Sequence, residues 1–254
     1  MDILTHRDGP VLRIGLHRPD KKNALTQQMY ADIAAAIAAA EADAAVRVML
    51  IHGAPGVFTA GNDLHDFLSR PPRGADTGVS RFLHVLSRTS KPLVAAVSGP
   101  AVGIGTTLLL HCALVHAAED ARLALPFVNL GLCPEAASSY LLPRIAGYQR
   151  AAELLLLGEP FGPEKGRELG IVTAVVPAAE LMEAATAAAH RLAGRPPAAL
   201  RVTKALMKRA LQPGIDAALE AEFRAFSERL DSPEAKEALT AFFEKRKPDF
   251  SRFG

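Results

Sequence analysis

An early alternation of strand, helix and strand restricts the fold of this chain most. Val11 to His17 alternates apolar and polar residues, the two-residue period of a strand. Thr26 reads as the N-cap of a long Ala-rich helix running to about Asp43. Met29, Ile33 and Ile37 fall at four-residue spacing on one face of that helix. Val46 to His52 is a buried-strand run, broken by Gly53-Ala54-Pro55-Gly56. Two strands joined through a helix predict a right-handed βαβ unit, hence an α/β fold.

The rest of the chain extends this pattern. Arg18 to Asn23 is a turn cluster, and Asn62 and Asp63 can start a short helix through about Leu68. Arg70 to Thr77 reads as a loop, and Val79 to Ser90 as an amphipathic helix. Pro92 to Val97 is a third strand, running into a Gly-rich turn and an apolar helix from about Gly105 to Cys112. Leu114 to Ala117 and Arg122 to Leu125 are further strands. After Tyr140 helices dominate: 149–157, 163–169, 179–192, 198–211 and 215–230, with one short strand at 172–176. Ser232-Pro233-Glu234 is a strong start for a last helix to near Arg246. The layout is an αβ core over residues 1–195, carrying the site, followed by a helical region over 196–254.

Bulk properties exclude several function classes. A net charge of +2 is too mild to imply nucleic acid. No apolar run reaches membrane-spanning length, and no apolar leader opens the chain, so a cytoplasmic location is expected. Cys112 and Cys133 make neither a disulfide framework nor a metal motif. His111 and His116 lie five apart, off one helix face, so no metal site is expected.

Chemistry concentrates in Leu130-Gly131-Leu132-Cys133-Pro134-Glu135-Ala136-Ala137-Ser138-Ser139-Tyr140. Pro134 suits the first position of a helix, which places Glu135 in the first turn beside the positive end of the helix dipole. Its neighbours are apolar or small, so it is either a solvated first-turn acid or a carboxylate facing a pocket. Acids near helix starts are common, and local sequence alone favours the first. Two upstream turns reverse that balance. In Phe58-Thr59-Ala60-Gly61-Asn62-Asp63-Leu64, Gly61 allows a tight bend. In Gly103-Ile104-Gly105-Thr106-Thr107-Leu108, the third glycine of a dinucleotide fingerprint is replaced by Leu108. Either both turns simply pack closely, or the N–H groups of Asn62 and Ile104 form an oxyanion hole.

Arg18-Pro19…Asn23-Ala24-Leu25, Phe58 to Leu64, and Gly99-Pro100-Ala101-Val102-Gly103-Ile104-Gly105 through Pro143 together resemble the crotonase superfamily, the enoyl-CoA hydratase/isomerase family. The resemblance implies a spiral of β-β-α turns with a C-terminal helical region used in assembly and as a cover for the site. It implies homotrimers or dimers of trimers, and an acyl-CoA substrate with no separate cofactor. Asn62 and Ile104 would hold the thioester oxygen. Lys22, Ala24, Thr59, Ala60, Gly61, Asp63, Leu64, Gly103, Phe127 and Leu132 would line the acyl-CoA site. Asp63 and Asp66 also read as helix-capping acids, and Lys245 to Lys247 either as a solvated face or as a contact to CoA phosphates.

Hydratases of the family use two glutamates, at positions occupied here by Thr107 and Phe127. Neither residue can activate water or protonate carbon, so hydration is not expected. The Phe127-to-Pro143 segment resembles instead the Δ3,Δ2-enoyl-CoA isomerases of the peroxisomal type and their bacterial relatives. There the acid at the Glu135 position is the single catalytic acid/base. Alanines follow Glu135 where the family often has glycine. The alternatives are another crotonase-fold enzyme (an isomerase of ring-derived CoA esters, a thioester hydrolase or a weak hydratase) or a non-catalytic acyl-CoA binder.

Overall fold

A computed structural model describes residues 2–70 and 77–253. The chain opens with β1 (Ile3–Asp8) and β2 (Val11–Leu16), an antiparallel hairpin. The sequence predicts only β2. Four of the six residues of β1 are exposed, so no apolar alternation marks it.

Thr26 caps α1 (Gln27–Ala42), its side chain accepting from the Met29 N–H. The helix buries Met29, Ile33 and Ile37, as their spacing predicts, and also Tyr30 and Ala34. β3 (Val48–His52) follows and lies parallel to β2, with Ile14 opposite Ile51. Asp63 caps α2 (Leu64–Ser69), and Thr77 caps α3 (Gly78–Arg88), which packs on α1. Of the loop expected over Arg70 to Thr77, residues 71–76 lie outside those described.

β4 (Leu93–Val97) continues the sheet parallel to β3. β5 (Pro100–Val102) leads through Gly103 into α4 (Ile104–Thr107), whose axis continues as a 3-10 turn over Leu108–His111. The apolar helix expected over 105–112 is therefore half α and half 3-10. β6 (Leu114–Ala118) joins the main sheet, while β7 (Arg122–Ala124) pairs with β5 in a separate two-stranded sheet.

α5 (Ser138–Ala146), α6 (Tyr148–Ala152) with a π turn over Glu153–Leu157, and α7 (Pro163–Glu168) precede β8 (Ala174–Val176). α8 (Leu181–Ala193), α9 (Pro197–Arg209), α10 (Gln212–Leu230) and α11 (Pro233–Phe243) complete the chain. The Ser232 side chain caps α11 by accepting from the Ala235 N–H. The expected 149–157 helix is thus α6 plus a π turn, and the last helix stops three residues short of Arg246.

The main sheet has the order β1-β2-β3-β4-β6-β8, parallel throughout except for the first pair. Both its faces are covered, which explains the near-continuous apolar character of β3 and β4. Ile14, Met49, Ile51, Ala95 and Val97 pack on one face with α1 and α3. Val48, Leu50, Val94 and Ala96 pack on the other with Leu181, Ala185 and Ala189 of α8. The α/β class expected from the βαβ pattern is what the chain adopts. Among the described residues no helix is long and apolar enough to cross a membrane.

Candidate active site

The carboxyl ends of β2, β3 and β4 feed three loops, where α/β sheets place their ligand sites. These loops are hydrogen-bonded to one another. Ala60 N–H donates to Lys22 O at 2.9 Å, and Leu25 N–H to Gly61 O at 2.8 Å. Thr59 N–H donates to Pro100 O at 2.9 Å, and Val102 N–H to Thr59 O at 3.0 Å. The Thr59 hydroxyl donates to Asn23 O and accepts from Gly61 N–H. Lys22, Ala24, Thr59, Ala60 and Gly61 therefore belong to one rigid assembly. Buried Thr59 is its hinge pin, while the Lys22 side chain stays exposed.

Neither the Asn62 nor the Ile104 amide has an acceptor among the described residues. Their turns touch. A Cβ on Gly61, whose φ is +89°, would stand 2.8 Å from Val102 O, and one on Gly105 would stand 2.6 Å from Thr59 Cγ2. Only glycine permits both the backbone angle and the approach. The Asn62 side chain is held from below by the buried Tyr30 hydroxyl, which donates to Asn62 Oδ1.

Glu135 lies outside any helix. α5 begins three residues later, at Ser138, so Pro134 is not a first helical residue and Glu135 is not a first-turn acid. The reason is a turn no sequence rule anticipates: Ala136 and Ala137 both adopt left-handed angles, φ 60° and 56°. Each such residue costs an L-amino acid about 1–2 kcal/mol. The turn is held from several directions. Ser138 donates to Glu135 O through its N–H at 3.1 Å and its hydroxyl at 2.6 Å. His111 Nε2–H donates to Ala136 O at 2.8 Å. Ala137 N–H and Ser139 N–H donate to the two oxygens of Glu222, on α10, at 2.6 and 2.9 Å.

The Glu135 side chain is 7% exposed, and its Oε1 is fully buried without a hydrogen-bond partner. Burial, and then the nearby Glu222 charge, push its carboxyl up from 4.5 to about 8. The solvated-acid reading of the sequence is thereby excluded. Glu135 and Ala136 border a cavity of about 770 Å³ between α1, α3 and α10. Ala31, Ala34, Ala35 and Ala38 form one wall, Leu83 and Val79 a second, and Phe223 and Phe226 a third. An acid with an unpaired oxygen at the edge of an apolar cavity is the arrangement expected of a proton-transfer group.

Other residues sort as follows. Phe127 is buried beside Gly103, its Cε1 3.9 Å from where a Gly103 Cβ would stand. Thr107 is fully buried with an unpartnered hydroxyl. Leu132 packs into the main core. Asp63 caps α2, accepting from the His65 and Asp66 N–H groups, and pairs with Arg18 at 2.6 Å, so its carboxylate is committed to structure. Leu64 is the first residue of that helix. His65 lies against Phe243 of α11, ring centroids 4.5 Å apart. Arg246 is bound to Glu237 and Glu244. Three members of the site carry no sequence signal: Tyr30 reads as a core aromatic, His111 as a stray histidine, and Glu222 as one acid among several on α10. Among the described residues, no group of three or more His, Cys, Asp or Glu could hold a metal ion.

The family described as "Enoyl-CoA hydratase/isomerase" matches residues 6–252. The 1,2-epoxyphenylacetyl-CoA isomerase of Escherichia coli strain K12 is 35% identical over 98% of both chains. Enoyl-CoA delta isomerase 2 of Rattus norvegicus is also 35% identical, over 97% of this chain and 64% of its own. The crystal structure of an enoyl-CoA hydratase/isomerase from Pseudoalteromonas atlantica T6c superposes with a TM-score of 0.94 at 36% identity, covering 98% of this chain and 100% of that one. These names span more than one reaction, so they identify the lineage and not the substrate. Matched by the family over residues 6–252 and by relatives over nearly its whole length, the chain belongs to the enoyl-CoA hydratase/isomerase family, the crotonase superfamily.

Proposed function

We propose that the protein is a Δ3,Δ2-enoyl-CoA isomerase in which Glu135 is the single acid/base. The observation that carries this reading is the buried Glu135 carboxyl, its Oε1 unpartnered at the edge of a mostly apolar cavity, with Thr107 and Phe127 where a hydratase would need its glutamates. The thioester oxygen accepts from the Asn62 and Ile104 N–H groups. Ionised Glu135 removes a proton from C2 of the 3-enoyl thioester. The electron pair spreads into a dienolate whose negative oxygen the two amides stabilise. Glu135, now protonated, returns the proton to C4, and the double bond comes to rest between C2 and C3. No water is consumed and no atom is gained or lost. General base catalysis contributes about 10²–10⁴-fold, and one oxyanion donor about 10²–10³-fold.

The acyl chain occupies the cavity between α1, α3 and α10. Four alanines along one side of α1 keep that wall low, which leaves space for a chain or ring well beyond four carbons. CoA lies over the loop carrying Lys22 and Ala24, and the protein assembles as homotrimers or dimers of trimers. Incubation with 3-enoyl-CoA esters of increasing length, following the conjugated 2-enoyl thioester by its absorbance, tests the reading. Turnover should rise from four carbons to longer chains. No conjugated product at any length would reject it.

A second reading places a ring-derived CoA ester on the same base. It is favoured by the 35% identity to the Escherichia coli 1,2-epoxyphenylacetyl-CoA isomerase and by the cavity volume of about 770 Å³. Ring-bearing CoA esters in the same assay separate the two readings.

A further inference from the structure

We propose that Glu222 of α10 is a positioning residue for Glu135: it holds the Ala137 and Ser139 amides, where the left-handed turn after Glu135 enters α5, and so fixes where that carboxyl faces. The proposal rests on the isomerase reading above for its kinetic expression.

The geometry is specific. Glu222 Oε2 accepts from Ala137 N–H at 2.6 Å, and Oε1 accepts from Ser139 N–H at 2.9 Å and from the Ser139 hydroxyl. Ala137 is the N-cap position of α5 but offers no side-chain cap. Glu222, from a helix more than eighty residues away in sequence, supplies that cap. Its carboxylate lies against the first amides of α5, where a negative charge is favoured. Two consecutive left-handed alanines persist only if the surroundings over-determine them. His111 holds the Ala136 carbonyl, and Glu222 holds the next amide in the chain. Glu135 sits at the start of this doubly clamped segment. Its own side chain has no hydrogen bond on Oε1, so its direction is set by the backbone beneath it.

Glu222 also acts through its charge: burial pushes its own carboxyl up, and the hydrogen bonds from Ser139 and Ala137 oppose that by favouring the ionised form. Glu135 and Glu222 border the same cavity, and the Glu222 charge is the second cause, after burial, of the raised Glu135 carboxyl. Other groups surround them. Tyr30 of α1 is buried and held neutral by burial and by the Glu135 charge. His111 is buried and its imidazole is pushed down to about 4, so it is neutral near pH 7. Cys133, beside Glu135 in sequence, is pushed up to about 11 by burial and then by the Glu222 charge. Arg229 of α10 binds Gly131 O and Glu234. At the cavity rim Arg88 pairs with Asp216, and Glu220 with Arg224, with Arg81 and His84 of α3 alongside.

Glu222→Gln removes the charge and can satisfy only one of the two amides with an oxygen, because its NH2 group is a donor. Glu222→Asp keeps the charge but is one methylene shorter. The Gln variant should lower kcat about tenfold or more, since misplacement of a catalytic group by about 1 Å can cost about 10²-fold. It should also move the low-pH limb of kcat to lower pH, as loss of a like charge lowers an acid's pKa. The Asp variant should lower kcat while leaving that limb in place. KM should change less than kcat in either, because the amides that hold the thioester are untouched and Glu222 only borders the acyl cavity. Titration of the Glu135 carboxyl by ¹³C NMR, assigned through its loss in Glu135→Gln, reads the same charge effect without turnover. Wild-type kcat in both variants, or an unmoved limb and titration in Glu222→Gln, would overturn the proposal. If Glu222→Gln does not fold, unchanged kcat in Glu222→Asp would overturn it, and lowered kcat with the limb in place would sustain it. Turnover surviving in Glu135→Gln would instead sink the isomerase reading, a result distinct from either.

Discussion

Near neutral pH the Glu135 carboxyl is mostly protonated, because burial and the Glu222 charge hold it at about 8. A general base in that state works better as pH rises, so kcat/KM should climb with pH and level off above about 8. The same shift has a stability consequence. Between its ordinary 4.5 and about 8, the folded protein keeps a proton that the unfolded chain has released. Native protein therefore binds more protons there, and its stability falls as pH rises through that window. Glu135→Gln removes this titration. Urea unfolding at pH 6 and pH 9 should show the wild type losing stability relative to the Gln variant. Parallel curves for the two proteins would contradict the buried, shifted acid. Thr107 and Phe127 give a separate expectation at this scale. Neither can ionise near neutral pH, and both are buried, so hydration of 2-enoyl-CoA should be negligible beside isomerisation. Comparable hydratase and isomerase turnover, measured on matched chain lengths, would reject it.

At the scale of elements, the proposed catalysis depends on how three loops are seated on the ends of β2, β3 and β4. Gly61 and Gly105 set the spacing between the loops that carry the Asn62 and Ile104 amides. A Val at Gly61 would meet a φ of +89° and Val102 O at 2.8 Å, and one at Gly105 would meet Thr59 Cγ2 at 2.6 Å. Either replacement should lower kcat about 10²-fold by moving an amide about 1 Å. Steady-state kinetics on variants verified as folded by circular dichroism would test this, and unchanged turnover would mean the turns only pack. Much of this layer was legible in the sequence. The apolar runs of β3 and β4, the Thr26 and Ser232 caps, the Asp63 cap and the two glycine turns all follow local rules. The Glu135 turn was not legible. Alanine carries no signal for a left-handed backbone, and Pro134 imitates a helix start that the clamped turn postpones to Ser138. β1 escaped because an exposed edge strand has no alternation to read.

Across the whole molecule, the acid and its positioning carboxylate come from segments that only the tertiary fold unites. α10 covers the cavity that α1 and α3 open, and it brings Glu222 to the start of α5. Such pairing over long sequence separation is invisible to spacing rules, which is why Tyr30, His111 and Glu222 stood out only in three dimensions. α9 has no buried residue, and Val202, Leu206 and Met207 on it are 58%, 63% and 74% exposed. An apolar helix face of that kind marks an interaction surface. On the family resemblance we propose that it is covered by other copies of this chain. Sedimentation equilibrium should give about three or six times the 26.9 kDa chain mass. A monomer at micromolar concentration would contradict that assignment.

In the proposed isomerisation one carboxyl moves one proton between C2 and C4 while two backbone amides hold the thioester oxygen. Glu135→Gln keeps the size of the side chain and leaves the amides and the cavity untouched. Single-turnover kinetics with a 3-enoyl-CoA ester, alongside equilibrium binding of a saturated acyl-CoA, separates the base from the binding site. In this variant kcat should fall about 10²-fold or more while acyl-CoA affinity stays within about threefold, because only the general base is lost. Retention of more than about half the wild-type kcat would contradict it, since removal of a general base costs far more than that.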